Sequence, residues 1–275
     1  MRNVLHLIEQ HDQPHRLGRH VEHDPRSLAY AHGVLPNSAI KPVQWTRRIA
    51  ILDQGQVGSC TGNALTGVLG TDSAGRTATT SVTVKADSKG VFTAGTYTLD
   101  EQFAVLAYTL NTKLDNIKGD YPAEDTGSTG IACGKTGQQL GLLAGYTHAF
   151  SLAALKSALQ NGPAMIGIVW LNSMFEPGSG GAINVDQSSG VAGGHELVVS
   201  GWDGHYFRLD NSWGSSWGDN GSGYVAESDM QWLLSQQGDV TVPAYAAAPT
   251  PTPVPADPDL AMALAARNWL AAKGL

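Results

Sequence analysis

Apart from an insertion at 71–99, apolar residues at helical spacing recur from Cys60 to Leu159, and strand-like runs take over from Ala164. This one-way order is the strongest constraint on the fold. Alternating elements would call for a parallel sheet with helical crossovers. Helices grouped first and strands grouped later call for an α+β fold, in which a helical half and a sheet half face each other across a cleft.

The individual elements are marked by their ends. After Cys60, the run Ala64, Leu65, Val68 and Leu69 has helical spacing, although Gly62, Gly67 and Gly70 weaken it, so packing must hold this helix. Ser81 to Lys85 and Gly90 to Thr93 favour strand around a turn at Asp87 to Gly90, which predicts a hairpin insertion over 71–99. Asp100 is a suitable N-cap for a helix carrying Phe103, Leu106, Ala107, Leu110 and Leu114 on one face. Asp125 to Gly130 leads into a short helix that ends near Gly141, and Ser151 caps another through Leu152, Leu155 and Leu159. Met165 to Trp170, Leu197 to Trp202, Tyr206 to Leu209 and Gly223 to Ala226 read as strands between glycine-rich turns.

The boundaries follow from composition. Residues 1–44 form a polar lead-in, 45–243 the main domain, 244–258 a proline-rich linker of extended chain, and 259–275 a terminal helix that docks on its own domain, frays as a tail or anchors a partner. His6, His11, His15, His20 and His23 in the lead-in match no compact zinc spacing, so a solvated or wrapping segment is expected, with no metal or cofactor. A net charge of -7 gives no electrostatic reason for binding nucleic acid or an anionic membrane surface. Peptides or cell-wall fragments fit better. Met1 to Glu9 is too short and too polar for a secretory signal, and no stretch approaches the roughly 20 apolar residues of a membrane helix.

Only two cysteines occur, too few for a disulfide-stapled scaffold. Cys133 reads as a buried, inert thiol. Cys60 differs, because it would begin a helix, where the positive end of the dipole stabilises a thiolate, and Gly55 and Gly58 precede it. A nucleophilic thiolate also needs a base, and His195, at the start of a strand with Glu196 pointing away, supplies one. The base in turn needs an orienting group. Asn211 can provide it through its side-chain carbonyl without adding charge, under the tryptophans of Asn211-Ser212-Trp213-Gly214-Ser215-Ser216-Trp217.

Together, Gln54-Gly55-Gln56-Val57-Gly58-Ser59-Cys60, the Gly194-His195 strand and the Asn211-Ser212-Trp213-Gly214 run resemble the three signature blocks of papain-like cysteine peptidases, in the same order. His195 follows Cys60 by 135 positions, within that family's separation. The resemblance covers Trp45 to about Val242 and implies a two-lobed fold, with the cysteine on a helical lobe and the histidine and asparagine on a β-rich lobe. It makes Cys60 the nucleophile, His195 the base and acid, Asn211 the orienting group, and Gln54, with the Cys60 N–H, the oxyanion hole. It also implies that Trp213 and Trp217 are an aromatic shield, that Ala164 and Gly194 help shape the substrate pocket, and that Gly127, Ser128, Thr129 and Gly130 form a groove wall.

Departures from the pattern narrow the resemblance. Thr61 stands where the signature has an aromatic residue, Val57 where many members have a bridging cysteine, and Gly194 where aspartate is common. This wording is similar to the bacterial and bacteriophage branch, which implies a cytoplasmic (host cell) or virion-associated protein. Gly18 to Tyr30 resembles the lead-in of that branch and argues against a long inhibitory propeptide. Peptide-bond hydrolysis through a thioester is the leading expectation. A peptidoglycan-cleaving enzyme with the same triad, a catalytically silent papain-like binding or virion module, and transglutaminase-type acyl transfer are the alternatives.

Overall fold

The computed structural model describes residues 3–7 and 13–246; the linker beyond residue 246 and the terminal helix at 259–275 lie outside the described residues. In chain order, a small pair β1 (Asn3–Leu5) and β2 (Val21–His23) is followed by β3 (Val43–Gln44) and then by helix α1 (Cys60–Leu69). β4 (Ser81–Val84), β5 (Gly95–Thr98), α2 (Glu101–Leu114) and α3 (Gly130–Gln139) complete the helical half. The sheet half contains β6 (Leu143–His148), α4 (Leu152–Leu159), β7 (Ala164–Leu171), β8 (Val191–Trp202), β9 (Tyr206–Asp210), β10 (Ser222–Ala226), α5 (Glu227–Ser235) and β11 (Asp239–Tyr245). The fold is α+β, as expected: a helical half on one side and a large antiparallel sheet on the other.

All ten residues of α1 are buried. Its glycines explain how. A Cβ on Gly62 would stand 2.1 Å from the Ala104 carbonyl oxygen, so the main chain of α2 can rest directly on α1 only because that side chain is missing. The helix penalty of glycine, about 1 kcal/mol per residue, is offset by burial of neighbours such as Leu65 and Val68, each contributing about 1.5–3 kcal/mol. The expected caps Asp100 and Ser151 accept from the Phe103 and Ala154 N–H groups, and Thr129, an additional cap, accepts from Ala132, fixing the starts of α2, α4 and α3.

The main sheet has the order β10-β9-β8-β7-β11-β6, with β3 added to β8. Its two central strands carry apolar residues on both faces. Met165 and Val198 join the helical core of Leu65, Val68, Phe103 and Leu110, whereas Ile166, Ile168, Leu197 and Val199 pack with Leu155, Leu159, Met230 and Leu233 on the far side. Burial on both faces explains why β7 reads as an unbroken apolar run.

Three expectations change in detail. The hairpin pairs Ser81 with Thr98 and Val84 with Gly95, so Gly90 to Thr93 is not its second strand. The Asp87 carboxylate instead accepts from the Lys89 and Phe92 N–H groups and winds that stretch into a loop. Phe92 sinks into the helical core against Phe103 and Tyr97. His195 lies within β8 opposite Ile168, not at a strand start. β6, α5 and β11 are additional elements.

Candidate active site

The turn from Gln54 to Cys60 is tied to the opposite lobe before α1 begins. The Gln54 N–H donates to the Ser212 carbonyl at 2.9 Å, and the Ser212 hydroxyl donates to Gln54 Oε1 at 2.6 Å. That second bond fixes the orientation of the Gln54 amide, so its Nε2 must be the donor to Val57 O at 2.9 Å and Leu17 O at 3.3 Å. The Gly58 N–H donates to the Asp125 carboxylate at 2.9 Å. Cys60 follows as the first residue of α1, fully buried at the positive end of the helix dipole.

His195 on β8 meets Asn211, which directly follows the neighbouring strand β9. Asn211 Oδ1 accepts from the Ser212 N–H at 2.7 Å, so the amide oxygen faces the imidazole and His195 Nε2–H donates to it at 2.7 Å. Nδ1 is therefore the ring nitrogen with the free lone pair, and it has no hydrogen-bond partner among the described residues. Trp213 stacks on the imidazole with centroids 4.6 Å apart, and Trp170 closes from its edge at 5.1 Å. Burial in this box holds the imidazole far below its ordinary value, at about 3, against the opposing pull of the Asn211 bond; His15 pushes it lower.

The lead-in segment runs through the cleft between these groups. The Gly18 and Arg19 N–H groups donate to the Gly194 carbonyl at 3.2 and 3.0 Å, while Ser128 N–H donates to Gly18 O and His20 N–H to Ser128 O, both at 2.8 Å. Both walls of the groove thus bond to the same few residues. Gly18 adopts φ +133°, and a Cβ there would lie 2.3 Å from Gly58 O, so only glycine fits between the cysteine turn and the histidine strand. His15 stacks on Trp213 at 4.5 Å, and the Trp213 indole N–H donates to Arg16 O at 3.1 Å. Glu22 accepts from the Thr129 hydroxyl and from Asn116. His20 accepts the Leu7 N–H at Nδ1, which makes Nε2 the donor to Thr126 O. These lead-in histidines serve packing and hydrogen bonding. Among the described residues no group of His, Cys, Asp and Glu is arranged to hold a metal ion.

Gly127, Ser128, Thr129, Gly130, Gly194 and Trp213 accordingly all lie along the segment. Ala164 is not brought there: it is fully buried at the start of β7, paired with Val199 and four positions along the ladder from the Ile168–His195 pair. Glu196 points to the face opposite His195 and is buried beside Arg19 and Asp239; burial and Asp239 push its carboxyl up while Arg19 pulls it down. Sequence reasoning singled out neither Arg19 nor Asp239. An acid set immediately before the apolar run Leu197-Val198-Val199 was the available signal that a buried counter-charge had to exist. Cys133 is fully buried, donates from Sγ to Thr61 O at 3.2 Å, and has its thiol pushed up by burial, the opposite of what a nucleophile needs.

The family model of the papain family cysteine proteases matches residues 42–236. Among solved structures, xylellain, a cysteine protease from Xylella fastidiosa, is similar over 86% of this chain and 99% of its own, at 15% identity and a TM-score of 0.63. The digestive procathepsin L 3 of Tenebrio molitor larval midgut matches at 23% identity over 78% of this chain and 72% of its own, with a TM-score of 0.45. The bromelain protease of Ananas comosus, in complex with the inhibitor E64, matches at 16% identity over 74% of this chain and 99% of its own, with a TM-score of 0.42. No curated protein matches the sequence. With the family model covering well over half of it, the chain belongs to the papain family of cysteine proteases and is a cysteine-type peptidase.

Proposed function

We propose that the chain hydrolyses peptide bonds through Cys60, His195 and Asn211. The Cys60 thiol gives its proton to His195 Nδ1 as sulfur attacks the scissile carbonyl carbon. The oxyanion accepts from the Cys60 N–H and from Gln54 Nε2–H, the same amide hydrogen that now faces Leu17 O. Collapse breaks the C–N bond, the amine leaves with the proton from His195, and a thioester remains. Water then attacks the thioester, giving its proton back to His195, and the acid departs as the thiol re-forms.

The observation that carries this reading is the 2.7 Å bond from His195 Nε2 to Asn211 Oδ1, with Ser212 fixing the amide. It leaves Nδ1 as the basic nitrogen beneath a tryptophan lid. Residues 13–23 occupy the groove a substrate would use, so they must move before cleavage. The absent bridging cysteine at Val57 and the Thr61 substitution support placing the chain in the bacterial and bacteriophage branch.

The test uses the full chain carrying Gly18→Ala, which cannot keep the segment against Gly58. Casein hydrolysis should appear, and adding Cys60→Ala should lower it by about 10⁴-fold or more, while Cys133→Ala leaves it intact. Retained hydrolysis in the Cys60→Ala chain would overturn the mechanism. Cell walls offered beside casein separate a peptidoglycan-cleaving role from a general peptidase.

A further inference from the structure

Arg19 enters the body of the protein through the candidate active-site groove, and its side chain is completely buried. One guanidinium nitrogen, Nη2, donates to Asp239 Oδ2 at 2.6 Å and to Gln237 O at 2.7 Å. Gly167 makes room for these groups at the inner end of the pocket: a Cβ there would lie 2.5 Å from Arg19 Nε, 2.6 Å from Glu196 Oε2 and 2.7 Å from Asp239 Oδ1. Gly130 borders the same space, 2.8 Å from Asp239 Oδ1 and 3.0 Å from Glu196 Oε1 by the same measure. Glu196 is only 1% exposed, and neither of its carboxylate oxygens has a hydrogen-bond partner among the described residues.

A buried carboxyl beside a second, partly exposed one is costly unless a cation joins them. Arg19 is that cation in the closed cleft. Once the segment leaves, the same space is left with Glu196 and Asp239 and no counter-charge. Whatever chain next pairs with Gly194 and Ser128 is then selected for a side chain that restores it. A guanidinium suits the space better than an ammonium, because its flat fork can bond Asp239 and Gln237 O on one edge and turn another edge to Glu196.

Resting on the peptidase reading above, we propose that Glu196, Asp239 and the floor glycines Gly130 and Gly167 form a specificity pocket for a substrate arginine, which Arg19 fills as an internal stand-in. The segment then mimics in the closed chain the side chain that the open enzyme seeks.

The test compares two fluorogenic peptides, differing only by arginine or its neutral isostere citrulline at the second residue before the reporter. They are offered to the full chain carrying Arg19→Ala and, in parallel, to the full chain carrying Gly18→Ala, whose pocket is intact. The arginine peptide should be cleaved with a kcat/KM about 100-fold higher, and the preference should fall to within about twofold when Glu196→Gln and Asp239→Asn are added. Equal cleavage of the two peptides overturns the pocket and leaves the peptidase reading standing. Cleavage of neither, by a chain whose Cys60 still reacts with iodoacetamide, overturns the peptidase reading instead. The pocket is then decided by binding. Ethylguanidinium should slow alkylation of Cys60 in the Arg19→Ala chain about tenfold where ethylurea does not, and equal behaviour of the two overturns the pocket.

Discussion

Two segments are laid onto the two-lobed body, and the balance of forces that holds each differs. Residues 81–98 attach through apolar burial: Phe92 is 1% exposed and packs on Phe103 and Tyr97, with Val84 beneath. Residues 13–23 bury Leu17 and Val21 as well, but attach mainly through main-chain pairing to Gly194 and Ser128, a buried guanidinium and a stacked histidine. Apolar burial has no ligand that can replace it, so the hairpin is a permanent part of the helical lobe. Backbone and charge contacts are the same contacts a peptide would make, so the lead-in is exchangeable. The segment beside the candidate active site is therefore the one built to be displaced, and the segment remote from it is the one built to stay.

The largest effect that separates the two is expected at Phe92. Phe92→Ala should lower global stability by about 3–5 kcal/mol in urea denaturation, through lost transfer energy and the cavity left behind. It should not selectively speed Cys60 alkylation, and a selective increase would break the contrast. Gly18→Ala should do the reverse. The clash with Gly58 O and the unfavourable φ should raise the iodoacetamide reaction rate of Cys60 by about 100-fold with little change in the urea midpoint.

A smaller effect lies in the titration of His195. Its imidazole is buried in the closed cleft with its value lowered to about 3, below the ordinary 6.5. The folded chain thus binds fewer protons at this site than an unfolded one, so the site's contribution to stability is complete above about pH 6.5 and is lost as the pH falls from there towards 3. The His195 C2–H resonance should stay at its neutral position down to about pH 4 in the full chain and titrate nearer 6.5 in Gly18→Ala. The smallest effect belongs to the exposed hydroxyl pair of the hairpin, where Thr83→Ala removes a bond to Thr96 and should cost about 0.5 kcal/mol or less.

Much of the site was legible because chemistry restricts its residue types. A helix-initiating cysteine, a distant histidine and an asparagine beneath tryptophans have few other uses in combination, and the caps Asp100 and Ser151 mark their helices through local bonds. What was not legible depends on partners far away in the chain. Arg19 meets Asp239 across 220 positions, and no local pattern announces it. β11 alternates only over Asp239 to Val242 before Pro243 interrupts it, and β6 mixes Gly145, Tyr146 and His148, so neither carries a sustained strand pattern. The hairpin register failed for a related reason: Phe92 has strand propensity, but its burial against Phe103 outweighs pairing.

The most direct measurement is the position of a covalent adduct. A peptidyl epoxide that reacts with thiolates, offered at pH 7 to the full chain with Gly18→Ala and traced by mass spectrometry, should modify Cys60, leave Cys133 untouched, and react far more slowly when Asn211→Ala removes the acceptor from His195 Nε2–H. An adduct on Cys133, or a Cys60 rate indifferent to Asn211, would contradict a thiol activated by an oriented imidazole.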